Sequence, residues 1–164
     1  MIAGHPAQFY LGSNLSPVYH ELMSLWKKLF NSGEDRVDYY QEGLELMKVS
    51  KYHEALTSFR LAQREAPRDT AIMQQMAITY TRIGMTEEAL RTYRMVLNTN
   101  PNESGAHYGM AFLLLSEGKP ENAADHLRSF LSNPPEGADA ARHIEHARQK
   151  LAELEGQTTA SDAL

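Results

Sequence analysis

From residue 36 to residue 137 the apolar residues recur every three or four positions, not every second one, and this spacing predicts helices rather than strands. The pattern also recurs at longer range. Ala55, Ala89 and Ala123 each stand 34 residues from the next, and the same offset relates Gly43, Ala77 and Ala111. Small residues at fixed places mark where two backbones approach closely. One bulky place runs Phe59, Tyr93, Leu127 and another Ala62, Val96, Phe130, while Pro67, Pro101 and Pro135 close the units with a residue that a helix interior rejects. Gly84 and Gly118 fall in the middle of their units. Each unit therefore reads as two helices joined by a turn, with boundaries at 36–69, 70–103 and 104–137.

The flanks follow from the same logic. A stack of hairpins leaves an apolar face at its end, which a helix with a polar back must cover. Residues 138–155 supply one: Ile144, Ala147, Leu151 and Leu154 form a stripe, and Arg142, Glu145, Arg148, Gln149, Lys150 and Glu153 fill the rest. Gly156 is expected to end that helix, leaving 156–164 as a polar, flexible tail. Upstream, Ser16 followed by Pro17 is an N-cap with proline at the first helical position, and Val18, Leu22, Leu25, Trp26 and Leu29 then recur at helical spacing. Residues 1–34 are accordingly read as an aperiodic arm, containing Phe9, Tyr10 and Leu11, followed by an amphipathic helix.

The 34-residue period, with Tyr39, Gly43, Leu46, Ala55, Phe59 and Pro67 in the first unit, resembles the tetratricopeptide repeat (TPR) family. The resemblance runs over residues 36–137 without a gap. It implies an all-α helical-hairpin solenoid of three repeats with flanking amino- and carboxyl-terminal helices. Two places depart from the pattern: the fourth position reads Tyr39, Met73, His107, and Leu127 stands where an aromatic is usual. Three repeats with a helix at each end, in a short acidic chain, also look like the type III secretion translocator chaperones.

Within the first helix of each unit, positions 4, 8 and 11 must pack on the partner helix. Positions 5, 9 and 12 form a second stripe about 100° away at 3.6 residues per turn. A stable hairpin does not need that stripe to be apolar, yet it reads Tyr40, Leu44, Met47, then Gln74, Ile78, Thr81, then Tyr108, Phe112, Leu115. By resemblance to the family it lines a concave groove that holds a peptide segment of a partner. Gln74, Gln75 and Arg82 are the polar members, with Lys48 and Ser116 at the rim. They fit a ligand with apolar ends and an acidic or hydrogen-bonding middle. Gly105 and Gly109, four apart in the third unit, either allow close packing on the preceding repeat or leave a slot beside Tyr108 and Phe112. The competing account of the stripe is that the next repeat's helices or the amino-terminal helix cover it. The family's clamp for heat-shock carboxyl tails is absent, because Tyr40, Leu44, Gln75, Gly105 and Gly109 stand where it needs Lys, Asn and Arg.

Composition narrows the function classes further. With 16 Lys+Arg against 21 Asp+Glu the net charge is -5, which argues against a surface built to neutralise phosphates, so no nucleic acid is expected. The absence of cysteine removes disulfides, thiolate nucleophiles and cysteine-based metal sites. No run is long enough to span a membrane and no signal peptide is read at the start, so a cytoplasmic setting is expected. The Asn14 and Asn102 sequons are read as accidental for the same reason. No phosphate-binding glycine loop, nucleophile elbow or zinc motif occurs, so no enzyme activity is expected. His143 and His146, three apart beside Glu145, are the best metal candidates, but surface histidines on a capping helix are the expected reading; neither metal nor cofactor is assigned. His107 is expected to be a satisfied core histidine.

These readings converge on a non-enzymatic adaptor, assembly or chaperone-like factor that binds an apolar or amphipathic peptide segment of a protein partner in the groove. The alternative is a self-assembling scaffold in which Val18, Leu22, Leu25, Trp26 and Leu29 mediate homo-oligomerisation. A membrane-surface role for Trp26 to Phe30 is not expected, because two lysines make a thin basic face.

Overall fold

The computed structural model of the protein describes Glu21, residues 37–137 and residues 140–161, with side chains described as far as residue 156. The chain divides into two compact units, 1–37 and 38–164, and nearly all the described residues belong to the second. The expected amino-terminal helix and its stripe of Val18, Leu22, Leu25, Trp26 and Leu29 lie outside the described residues.

Seven helices follow one another among the described residues of the second unit. They are α1 (Tyr39–Lys48), α2 (Tyr52–Glu65), α3 (Thr70–Ile83), α4 (Thr86–Thr99), α5 (Ser104–Ser116), α6 (Pro120–Ser132) and α7 (Ala140–Ser161). They form three hairpins, α1–α2, α3–α4 and α5–α6, each packed on the next, with α7 on the last.

The small residues sit where the period demands. Ala55, Ala77, Ala89, Ala111 and Ala123 are completely buried, and Gly43 is buried so closely that a Cβ there would come within 2.5 Å of the Phe59 ring. Phe59, Val96, Leu127 and Phe130 fill the core with at most 1% of their surface exposed. Burying each such side chain contributes about 1.5–3 kcal/mol. Among the described residues, no buried side-chain nitrogen or oxygen lacks a hydrogen-bond partner.

The turns inside the hairpins are copies of one another. The amides of Lys51, Met85 and Lys119 donate to the carbonyls of Leu46, Tyr80 and Leu114 at 2.9 Å each, a closure that needs a left-handed residue just before the donor. Gly84 (φ 88°) and Gly118 (φ 69°) supply it in the second and third hairpins. In the first, Ser50 adopts φ 60° instead. Between the first two hairpins, Asp69 caps α3 by accepting from the amides of Ala71 (2.8 Å) and Ile72 (3.3 Å), and ahead of the first hairpin Asp38 caps α1 by accepting from the amide of Gln41 (3.0 Å).

At the carboxyl end the expected stripe is the packed one: Ala147 and Leu154 are buried and Ile144 and Leu151 partly so, all against Ala111, Leu127 and Phe130. The end of the helix differs from expectation. Gly156 does not terminate α7, which runs on through it to Ser161. A glycine stops a helix when the chain turns there into positive φ; without that turn it costs only about 1 kcal/mol relative to alanine. Positive φ occurs at Gly137 (111°), in the bend before α7, and not at Gly156.

Candidate functional site

The second stripe of the first helices, the unneeded apolar one, is neither core nor open surface. Tyr40, Leu44, Met47, Gln74, Ile78, Tyr108, Phe112 and Leu115 are all half-buried, and Thr81 is exposed. Two hollows lie along it. The larger, of about 470 Å³, is floored by Ile78 from α3, Tyr93 from α4 and Tyr108, Gly109, Phe112 and Leu113 from α5. Its polar margin is Thr81, Arg82, Thr86 and Ser116. The smaller, of about 250 Å³, lies between the first two repeats, with Tyr40, Gln74 and Gln75 facing Thr70, Ala71 and Glu103.

The structure thus brings together Ile78, Arg82, Tyr108, Gly109 and Phe112 about one hollow, and Tyr40, Gln74 and Gln75 about the other. Leu44, Met47, Leu115 and Gly105 line neither. Leu44, Met47 and Leu115 lean on the core between hairpins, and the sulfur of Met47 lies 3.2 Å from Thr79 Oγ1 of the next repeat. Part of the stripe is therefore repeat-to-repeat packing. Tyr93 was hidden from sequence reading by its place at a core position of the period. Its ring tip nonetheless reaches the larger hollow.

The two glycines separate on inspection. A Cβ on Gly109 would overlap the Tyr93 ring, coming within 2.5 Å of its hydroxyl oxygen, and Tyr93 is only 3% exposed. Close approach of α4 to α5 therefore accounts for Gly109. A Cβ on Gly105 would meet the side-chain amide of Gln74, which can swing away. Gly109 also floors the larger hollow beside Tyr108 and Phe112, whereas Gly105 lines neither hollow.

At the third repeat the stripe meets α7. Tyr108 Oη lies 2.8 Å from His146 Nδ1, His143 stands edge-on to the Tyr108 ring at 5.2 Å, and His146 stacks on Phe112 at 4.7 Å with 13° between planes. Tyr108 also packs on Phe130 at 5.0 Å. These two histidines thus lie against the third-repeat end of the stripe. Among the described residues no group of three or more potential ligands could hold a metal ion. His107 is satisfied: one ring nitrogen meets the Pro101 carbonyl at 2.9 Å and the other meets His126 at 2.9 Å.

Electrostatically the larger hollow is apolar with one cation on its margin. Burial pushes the Tyr93 hydroxyl above the usual phenol range, partly offset by Thr81 and by the charge of Arg82, and burial likewise raises Tyr108. Both stay neutral hydrogen-bonding groups at neutral pH. Among the described residues no carboxylate is paired with Arg82, and no helix is long and apolar enough to cross a membrane.

Comparison with known proteins agrees with this architecture. Residues 71–103, which are the second hairpin, match the family model described as tetratricopeptide repeat. No curated protein matches the chain in sequence. Among solved structures, the Yersinia enterocolitica type III secretion chaperone SycD in complex with a peptide of the translocator YopD is 14% identical (TM-score 0.68, 73% of this chain and 92% of that one). PcrH in complex with the chaperone binding region of PopD is 17% identical (TM-score 0.66, 73% and 90%). The TPR2B domain of yeast Sti1 in its pHsp70 complex is 16% identical (TM-score 0.62, 73% and 94%). Three in-register hairpins and these shared folds give the described chain the fold of a tetratricopeptide-repeat solenoid, with its second hairpin matched as such a repeat in sequence, a fold similar to that of the type III secretion translocator chaperones.

Proposed function

We propose that the protein is a non-enzymatic, cytoplasmic adaptor or chaperone-like factor that holds an apolar or amphipathic segment of a protein partner along the stripe, anchored in the larger hollow. The observation that carries this reading is the hollow itself, walled by Ile78, Tyr93, Tyr108 and Phe112 and edged by Arg82. Aromatic walls grip apolar side chains over a large area at low entropic cost, and the guanidinium gives an adjacent carboxylate a bidentate partner. Two similar structures, SycD with a YopD peptide and PcrH with the chaperone binding region of PopD, support a segment of a protein as the ligand class.

Affinity capture with the wild-type chain, repeated with Ile78→Asp and with Arg82→Glu, tests the reading. Both positions are at least partly exposed, so circular dichroism should be unchanged while capture of the partner is lost in each. A partner retained by both variants places binding elsewhere. The competing reading is homo-oligomerisation, favoured by the dimer described for SycD. Sedimentation equilibrium across a concentration series decides it, since a monomer at every concentration removes the scaffold.

A further inference from the structure

A separate cleft lies on the other side of α3. This helix presents Ile78 and Arg82 to the hollow described above and turns Met76 and Tyr80 the opposite way, into a cleft of about 330 Å³ between α2 and α4. Arg60, Gln63 and Arg64 come to it from α2, and Arg91, Thr92 and Met95 from α4. Three arginines and no carboxylate line it among the described residues, in a chain where acids outnumber bases by 21 to 16. Arg60 Nη2 donates to Tyr80 Oη at 3.2 Å with its guanidinium over the Tyr80 ring, so the phenol accepts there and its own proton is left to donate. The polar groups Arg60, Gln63, Arg64, Tyr80 and Arg91 can all act as donors. Met95, 44% exposed, adds an apolar wall.

The repeat supplies an internal comparison. Arg60, Arg94 and Arg128 occupy the same position of successive units. In the third unit, where a further helix covers that position, Arg128 binds Glu155 of α7, through Nε at 3.3 Å and Nη2 at 3.0 Å, and Asp125 of its own helix at 2.9 Å. The covering helix thus brings a carboxylate to the repeated arginine. In the first unit the following repeat brings Tyr80 to Arg60 instead, and Arg64 and Arg91 flank it.

We propose that the cleft between α2 and α4 is a second docking surface, which takes an acidic segment of a protein partner with its carboxylates on Arg60, Arg64 and Arg91. Charge complementarity and the Arg128–Glu155 pair both point to a carboxylate as the occupant's contact group. A glutamate can place its carboxylate on an arginine while its methylenes lie against Met95, a wall that a bare phosphate would not use. Nucleic acid is disfavoured by the net charge of -5 and by the burial of Tyr80, which leaves no open ring for a base to stack on. The surface is independent of the hollow on the other side of α3.

Fluorescein-labelled decaglutamate titrated into the full-length chain tests this, with anisotropy as the readout and with amide and arginine Nε shifts followed by NMR. Binding is expected, with shifts at Arg64, Arg91 and Thr92. Arg64→Gln combined with Arg91→Gln should weaken it by about tenfold or more, since two charge-assisted contacts are lost. Both arginines are exposed, so melting of the variant should match wild type. The proposal is overturned if decaglutamate does not bind, if it binds the double variant as tightly, or if its shifts map away from the cleft. It is also overturned if inorganic phosphate alone or a single-stranded RNA shifts the same resonances more strongly than decaglutamate at equal concentration.

Discussion

Gly105 and Gly109 are the same residue, in one helix, one turn apart, and the structure gives them opposite expected responses to a methyl group. Alanine at either position gains helix propensity of up to about 1 kcal/mol. At Gly109 the methyl enters the buried Tyr93 ring, and overpacking a core of this kind costs about 1–3 kcal/mol, so Gly109→Ala should lower the melting temperature. At Gly105 the neighbour is the end of the Gln74 side chain, so propensity wins and Gly105→Ala should raise it. Thermal denaturation of the two variants reads the signs directly; equal signs would mean that the α4–α5 approach is not what holds position 109 small. Ser50 holds φ 60° where both later repeats use glycine, and a left-handed L-residue costs about 1–2 kcal/mol. Ser50→Gly should stabilise the first hairpin by somewhat less, about 0.5–1 kcal/mol, because glycine loses more backbone entropy and the 3.1 Å hydrogen bond from Tyr52 is lost. A chemical denaturation midpoint that fails to rise refutes it.

At the scale of elements, α5 and α6 are tied by a histidine pair that yields a pH prediction. The Pro101 carbonyl can only accept, so His107 donates to it from Nε2 and accepts at Nδ1 from the Nδ1–H of His126. Burial foremost, then the neighbouring His107 and Arg94, hold His126 below its ordinary value of 6.5, against the opposing pull of Asp125. A lowered histidine pKa means that the unfolded chain takes up the proton first. Stability is therefore intact above the unfolded value and is lost as pH falls through it. The melting temperature should drop between about pH 7 and pH 5, and drop less in His126→Gln. An equally steep fall in that variant assigns the effect to other groups. The sequence exposed the elements better than their contacts. Ala55, Ala89 and Ala123 betrayed the hairpins because a spacing of 34 survives any change in side-chain detail, and the α7 stripe was visible because it needs only one face. Rotation between neighbouring hairpins is not written in helical periodicity. The stripe's direction and the options of repeat-to-repeat packing and of close approach at the glycines could be read, but not that Leu44, Met47 and Leu115 are the members that settle onto the core, nor that Tyr93 is the side chain against Gly109, nor that α7 lays His143 and His146 against Tyr108.

For the whole molecule, stability should be graded along the chain, because each hairpin touches only its neighbours and a unit's protection is the sum of its own stability and its interfaces. The α3–α4 hairpin has a hairpin on each side. Its residues Ile72, Met73, Met76, Leu90, Tyr93 and Val96 belong to one buried cluster that extends from α2 to α6. Helix α7 packs on the described chain along one side, through Ala147, Leu154, Ile144 and Leu151, in a second, smaller cluster. Its surface ties are exposed pairs such as Arg128 with Glu155, both about half accessible, and such pairs contribute about 0–1 kcal/mol. Native-state hydrogen exchange should therefore find the slowest amides in α3 and α4 and the fastest helical ones in α7, with opening of α7 at a fraction of the global free energy. Leu154→Ala removes a buried anchor of α7 and should accelerate exchange in α7 and at Tyr108 and Phe112 while leaving α3 and α4 near their native rates. If instead every helix of the variant exchanges at one common faster rate, the three hairpins and the terminal helix unfold as a single cooperative block and the nearest-neighbour picture does not hold for this chain.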